Sequence, residues 1–191
     1  MSLLVRNFGT HGDKVSALGL GGHHLGDAEN EQTAIQIVHE AVDGGITFFD
    51  NCWEYNRGKS ENWMGKGLKG RRDRVFLMTK VCTHGRDASL AAQMLEESLR
   101  RLQTDHLDLW QIHGVCFDND PELFIRPNGA AKPWTGQNSR ARCDTSALPG
   151  TKIRRSISRC WRRAFRLTRC RCRLTPLTPR FIVSKRRYCR S

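Results

Sequence analysis

The chain has 191 residues, a length that suits one domain, and its 32 Lys+Arg against 19 Asp+Glu give a formal net charge of +13. That average conceals a break: residues 1–131 hold 14 basic and 18 acidic side chains, while residues 132–191 hold 18 basic ones and a single acid, Asp144. The absence of any apolar run of about 18 residues excludes a spanning helix, and no apolar stretch of secretory type is read near the N-terminus, so a cytoplasmic protein with reduced thiols is expected.

Residues 3–8 and 14–18 alternate apolar and polar positions on either side of the stretch GTHGDK, which predicts a β-hairpin. The run ALGLGG at 17–22 predicts a short strand ending in glycines. Between Glu31 and Val42, the residues Ala34, Ile35, Val38, Ala41 and Val42 recur at helical spacing, and Gly44-Gly45 supplies the stop. ITFFD at 46–50 reads as a strand closed by a carboxylate, and residues 60–68 as a short helix with Glu61 in its first turn. VFLMTKV at 75–81 is a further strand of buried type, with Lys80 near its end. Asp87 is placed to cap a helix over 88–102 whose Leu90, Met94, Leu95, Leu99 and Leu102 form one face, and LDLWQIH at 107–113 is a strand ending in a histidine.

Apolar strands alternating with amphipathic helices predict right-handed βαβ units on a parallel sheet. These strands end in a glycine pair (Gly21-Gly22), in Asp50 or in His113, and one carries Lys80 near its end. The C-terminal strand ends are where (β/α)8 barrels keep their chemistry. A doubly wound sheet is the competing architecture, but the first βα turn, GLGGHHLG, is not GxGxxG.

The stretch DNCWEYNRGKSE, the strand carrying Thr79-Lys80, and LDLWQIH together resemble the aldo-keto reductase family, with the likeness spanning residues 3–131. The resemblance implies an α/β fold: the N-terminal half of a (β/α)8 barrel, with the opening hairpin capping its floor. It implies hydride transfer between NADP(H) and a small-molecule carbonyl or alcohol. Its catalytic tetrad falls on Asp50, Tyr55, Lys80 and His113. The loop that touches the cofactor ribose falls on Gly21, Gly22 and His23, with Asp50 beside it. Taken singly, Asp50 reads as a cap, Lys80 as a solvated amine and His113 as a hydrogen-bonded structural histidine; together, at successive strand ends, they read as a site.

An isolated tyrosine has a pKa of about 10, too high for easy proton exchange near neutrality. A neighbouring Lys80 ammonium is expected to draw Tyr55 down, with Asp50 holding the lysine and His113 donating to the carbonyl oxygen. Trp53 either lines the substrate pocket or packs in the core. His23-His24 lacks any metal-ligand spacing, so no metal site is expected, and Cys52, Cys82 and Cys116 read as strand-end or core thiols.

The sequence divides at residue 131: a partial barrel domain over 1–131 and an Arg-rich tail over 132–191. The tail has 15 Arg to 3 Lys and lacks Glu, His and Met, a composition that out-of-frame reading of a GC-rich gene produces. Restoring one G before codon 132, with suitable synonymous codons, yields an amphipathic helix, the strand VRYVGF and a second helix. A frameshifted, mostly disordered tail is therefore expected, with one basic amphipathic helix near 152–172. A cationic module is the alternative function, in which residues 152–190 adhere to nucleic acid or acidic membranes through Arg side chains. No CxxC pair marks the tail cysteines as a zinc site, and no specific protein partner is inferred.

Overall fold

Two sheets of unequal size organise the molecule, whose computed structural model describes residues 3–8, 13–82, 87–114, 117 and 119–130 and the backbone of 142–147. Strands β1 (Val5–Phe8) and β2 (Asp13–Ser16) form an antiparallel hairpin, as the alternation predicts. Then follow β3 (Gly19–Gly21), the single turn α1 (Gly22–Leu25), α2 (Glu31–Asp43), β4 (Phe48–Asp50), α3 (Lys59–Gly67) and β5 (Phe76–Val81). After these come α4 (Ala88–Leu102), β6 (His106–Ile112), α5 (Asp120–Ile125) and β7 (Arg142–Ala147). Strands β3 to β7 lie in chain order in one parallel sheet.

The two longest helices start where a side chain satisfies their orphan N–H groups. The Asn30 side chain accepts from Thr33 N at 2.9 Å to open α2, and Asp87 accepts from Ser89 N at 2.8 Å and Leu90 N at 3.2 Å to open α4. Ala34, Val38, Ala41 and Val42 of α2, and Ala91, Met94, Leu95, Leu99 and Leu102 of α4, turn inward as the spacing requires. Helix α3 packs between α2 and α4.

The strands bury both faces. Phe49, Leu77, Trp110 and Ile112 point to the helices and are fully buried within one cluster. On the opposite face Met78 and Leu109 pack with Phe48 and Phe76, and Phe8 of the hairpin closes over them at ring distances of 5.3 and 5.2 Å. Side chains alternate along a strand, so this same face continues upward to Asp50, Lys80 and Gln111. The apolar floor thus lies at the N-terminal end of the strands and the polar groups at the C-terminal end.

The structure departs from the sequence expectations at several elements. The GGHHL stretch adds the turn α1, β4 is shorter than 46–50, β6 stops one residue before His113, and α5 was not anticipated. Strand β7 lies inside the stretch expected to be mostly disordered, and its backbone pairs with β6 from His106↔Arg142 to Gln111↔Ala147. A ladder needs only N–H and C=O groups, which every sequence but proline carries. The helix expected near 152–172 and the basic adhesion surface over 152–190 fall outside the described residues. Among the described residues no helix is long and apolar enough to cross a membrane.

Candidate active site

Lys80 rises from β5 with 7% of its surface exposed. Its ammonium is paired with the Asp50 carboxylate from the adjacent strand end and also donates to the Asn51 carbonyl at 2.8 Å. Tyr55 stands on the loop after β4, where Tyr55 N donates to Cys52 O at 3.1 Å and a short 3-10 turn, Tyr55–Gly58, begins. The Lys80 Nζ lies 5.1 Å from the centre of the Tyr55 ring. His113 follows β6, its N–H donating to Val81 O at 2.7 Å, and its ring meets the Tyr55 ring edge-on at 5.9 Å. The His23 ring also meets the Tyr55 ring edge-on, at 5.1 Å. All four expected catalytic side chains therefore share one mouth.

The loop bearing Tyr55 is fixed from beneath. Buried Asn51 accepts from Cys52 N at 2.9 Å, and Ser60 Oγ donates to Gly22 O at 2.5 Å while lying 3.0 Å from Asn51 Oδ1. Gly58 turns the chain into α3 with φ +85°, where a Cβ would meet the Arg101 guanidinium at 2.4 Å. That guanidinium donates to Trp53 O at 2.9 Å, to Glu97 at 2.7 Å and to buried Glu61 at 3.3 Å, while Thr79 Oγ1 donates to Glu61 at 2.6 Å. These supports escaped the sequence reading. One signal was available: Glu61 lies on the same helical face as Met64 and Leu68, at the spacing of a core position.

Trp53 is partly buried and packs against the core. Its indole N–H donates to Glu97 Oε2 at 2.8 Å, and Arg101 lies 5.2 Å from its ring centre, so the ring is tied to α4. Gly22 is likewise filled rather than open, since a Cβ there would lie 2.5 Å from the Asn51 side chain. Gly21 is the open position, with nothing within 4 Å of a Cβ built on it, and it pairs in register with Asp50.

The electrostatics correct one expectation. Burial pushes the Tyr55 phenol above its ordinary value; the attraction of Lys80 opposes this but is outweighed, and Asp50 adds to the rise. Burial alone would lower Lys80, yet the attraction of Asp50 and Tyr55 leaves it above its ordinary value. The ammonium is already neutralised by a carboxylate, so its pull on the phenol is too weak to offset desolvation. Tyr55 keeps its proton, and Lys80 keeps its charge.

A parallel βα sheet with an apolar floor, a hairpin beneath it and polar side chains gathered at the C-terminal strand ends defines the barrel class of α/β proteins. The family model described as "Aldo/keto reductase family" matches residues 17–142, and the chain belongs to that family. It is 38% identical over 116 residues to aldo-keto reductase YhdN of Bacillus subtilis, covering 53% of this chain and 35% of that protein. It is 36% identical over 98 residues to methylglyoxal reductase YeaE of Escherichia coli, covering 51% of this chain and 34% of that protein. An aldo-keto reductase from Klebsiella pneumoniae solved in complex with NADPH is 26% identical with a TM-score of 0.65, over 85% of this chain and 54% of that one. The chain thus spans less than half the length of these two curated relatives.

Proposed function

We propose that this chain carries the proton-transfer half of an NADP(H)-dependent carbonyl reductase site, with Tyr55 as general acid. The observation that carries the reading is the convergence of Asp50, Tyr55, Lys80 and His113 on one mouth. Reduction leaves negative charge on the carbonyl oxygen, which needs a proton donor and a hydrogen-bond donor beside it. The protonated Tyr55 supplies the proton. The Lys80 ammonium, held by Asp50 and Asn51 O, stabilises the phenolate left behind. His113 orients the substrate by donating to the same oxygen.

The residues present fit the nicotinamide end of such a cofactor. The open space at Gly21, the partly exposed Asp50 carboxylate beside it, and His23 against Tyr55 would hold the ribose, while Gly22 supplies packing. A bound nicotinamide would supply the hydride. The substrate class is a small carbonyl compound, with methylglyoxal among the candidates because the E. coli relative is named for reducing it.

The reading includes a frameshift before codon 132. Sequencing the gene around that codon and expressing the frame with one base restored tests both parts. The restored product is expected to oxidise NADPH with nitrobenzaldehyde or methylglyoxal, and Tyr55→Phe to lower its kcat by about 10²–10⁴. The 191-residue chain itself is expected to show no turnover. A restored product without NADPH oxidation, or a Tyr55→Phe variant at full rate, overturns the proposal.

A further inference from the structure

A second cluster at the mouth is not used by the proton-transfer groups as a set. Cys52 and Glu54 lie on the loop after β4 and His113 lies just past β6, and one ligand atom from each stands within 4.8 Å of the other two. Glu54 Oε1 is 3.3 Å from His113 Nε2. The Cys52 thiol is fully buried, its Sγ donating to Lys80 O at 3.7 Å. The Glu54 and His113 side chains are 44% and 21% exposed, so solvent reaches the cluster through them.

A thiol, an imidazole and a carboxylate are the donor set of Zn²⁺, whose bonds of about 2.0–2.3 Å hold tetrahedral ligand atoms roughly 3.3–3.8 Å apart. The observed spacing needs a closure of up to about 1 Å, within the reach of small side-chain rotations. The linear sequence hides the site because its third ligand arrives from a different strand end.

We propose that Cys52, Glu54 and His113 form a Zn²⁺ site at the mouth, with the fourth position left to solvent. On binding, the Cys52 S–H bond breaks, an S–Zn bond forms and the proton leaves to water, with no change of oxidation state. Occupancy engages the His113 Nε2. The ion and a carbonyl substrate therefore compete for it, a consequence that rests on the reductase reading, whereas metal binding does not.

The test uses the full chain with Cys143, Cys160, Cys170, Cys172 and Cys189 replaced by Ser, kept reduced with a phosphine and titrated with Co²⁺ alone. A saturable thiolate-to-cobalt charge-transfer band with tetrahedral visible absorption, bleached by Zn²⁺, is expected. Cys52→Ala should abolish the band. Glu54→Gln, which leaves the core untouched, should weaken Co²⁺ binding by about tenfold or more. Absence of the band, or a band unchanged in both variants, overturns the site. Catalysis is not read at any point, so failure here and failure of the reductase reading are distinguishable.

Discussion

Strands β5 and β7 occupy equivalent places on either side of β6, yet different things define them. In β5, FLMTKV, every residue after Phe76 is buried, and the strand is gripped by side chains on both faces as well as by its ladder. Strand β7, RCDTSA, holds its register with β6 through the backbone, Leu109↔Thr145 and Trp110↔Ser146 among the pairs. The frame proposed above would place VRYVGF at residues 143–148, within one residue of β7. A vacant sheet edge thus specifies where a strand goes, while the sequence specifies what the strand can hold together.

The largest effect is expected from cutting the grip on β5. Arg101 is 14% exposed at its side chain and neutralises fully buried Glu61, which in turn receives Thr79 from β5. Arg101→Met leaves the carboxylate without its cation and is expected to cost about 3–5 kcal/mol in urea unfolding. The exposed Lys66–Glu31 pair, 43% and 42% exposed, is the contrast: Lys66→Met should change stability by about 1 kcal/mol or less. Equal effects would mean that burial does not set the strength of these contacts.

The second experiment changes the side chains that β7 carries. Replacing residues 143–148 by VRYVGF leaves the ladder intact and offers β-branched and aromatic side chains to the two faces. A gain of about 1–3 kcal/mol is expected from the apolar surface removed from water. An unchanged urea midpoint would show that the edge gains nothing from side-chain content.

The same distinction explains what could be read from the sequence. Asp50, Lys80 and His113 were legible because each closes or nearly closes an apolar run, and parallel strands align their ends. Tyr55 was legible through the family motif. Asn51, Ser60 and Arg101 were not, because their partners come from segments far along the chain: Ser60 reaches Gly22 and Arg101 reaches Trp53. The direction of the Tyr55 shift was missed for a related reason. The neighbouring charge of Lys80 can be read from a motif, but the depth of burial that outweighs it is a property of the assembled mouth. Strand β7 was missed because RCDTSA has no apolar alternation to mark it.

The finest test concerns the pH dependence of the grip on β5. Burial raises the Glu61 pKa, and the Thr79 and Arg101 contacts only partly offset it. A carboxyl whose pKa is higher folded than unfolded contributes stability that is complete below the unfolded value, about 4.3, and declines as pH rises through the folded one. Glu97 works in the opposite sense: although burial raises it, Trp53 and Arg101 hold it below its ordinary value, so its contribution is lost as pH falls. The stability difference between the wild-type chain and Glu61→Gln isolates the first effect. It should shift against the wild type as pH climbs from the ordinary carboxylate range towards neutrality. Gln retains an acceptor for Thr79 Oγ1, so a pH-independent difference would mean that Glu61 ionises as freely inside the fold as outside it, and that Arg101 fully compensates its burial.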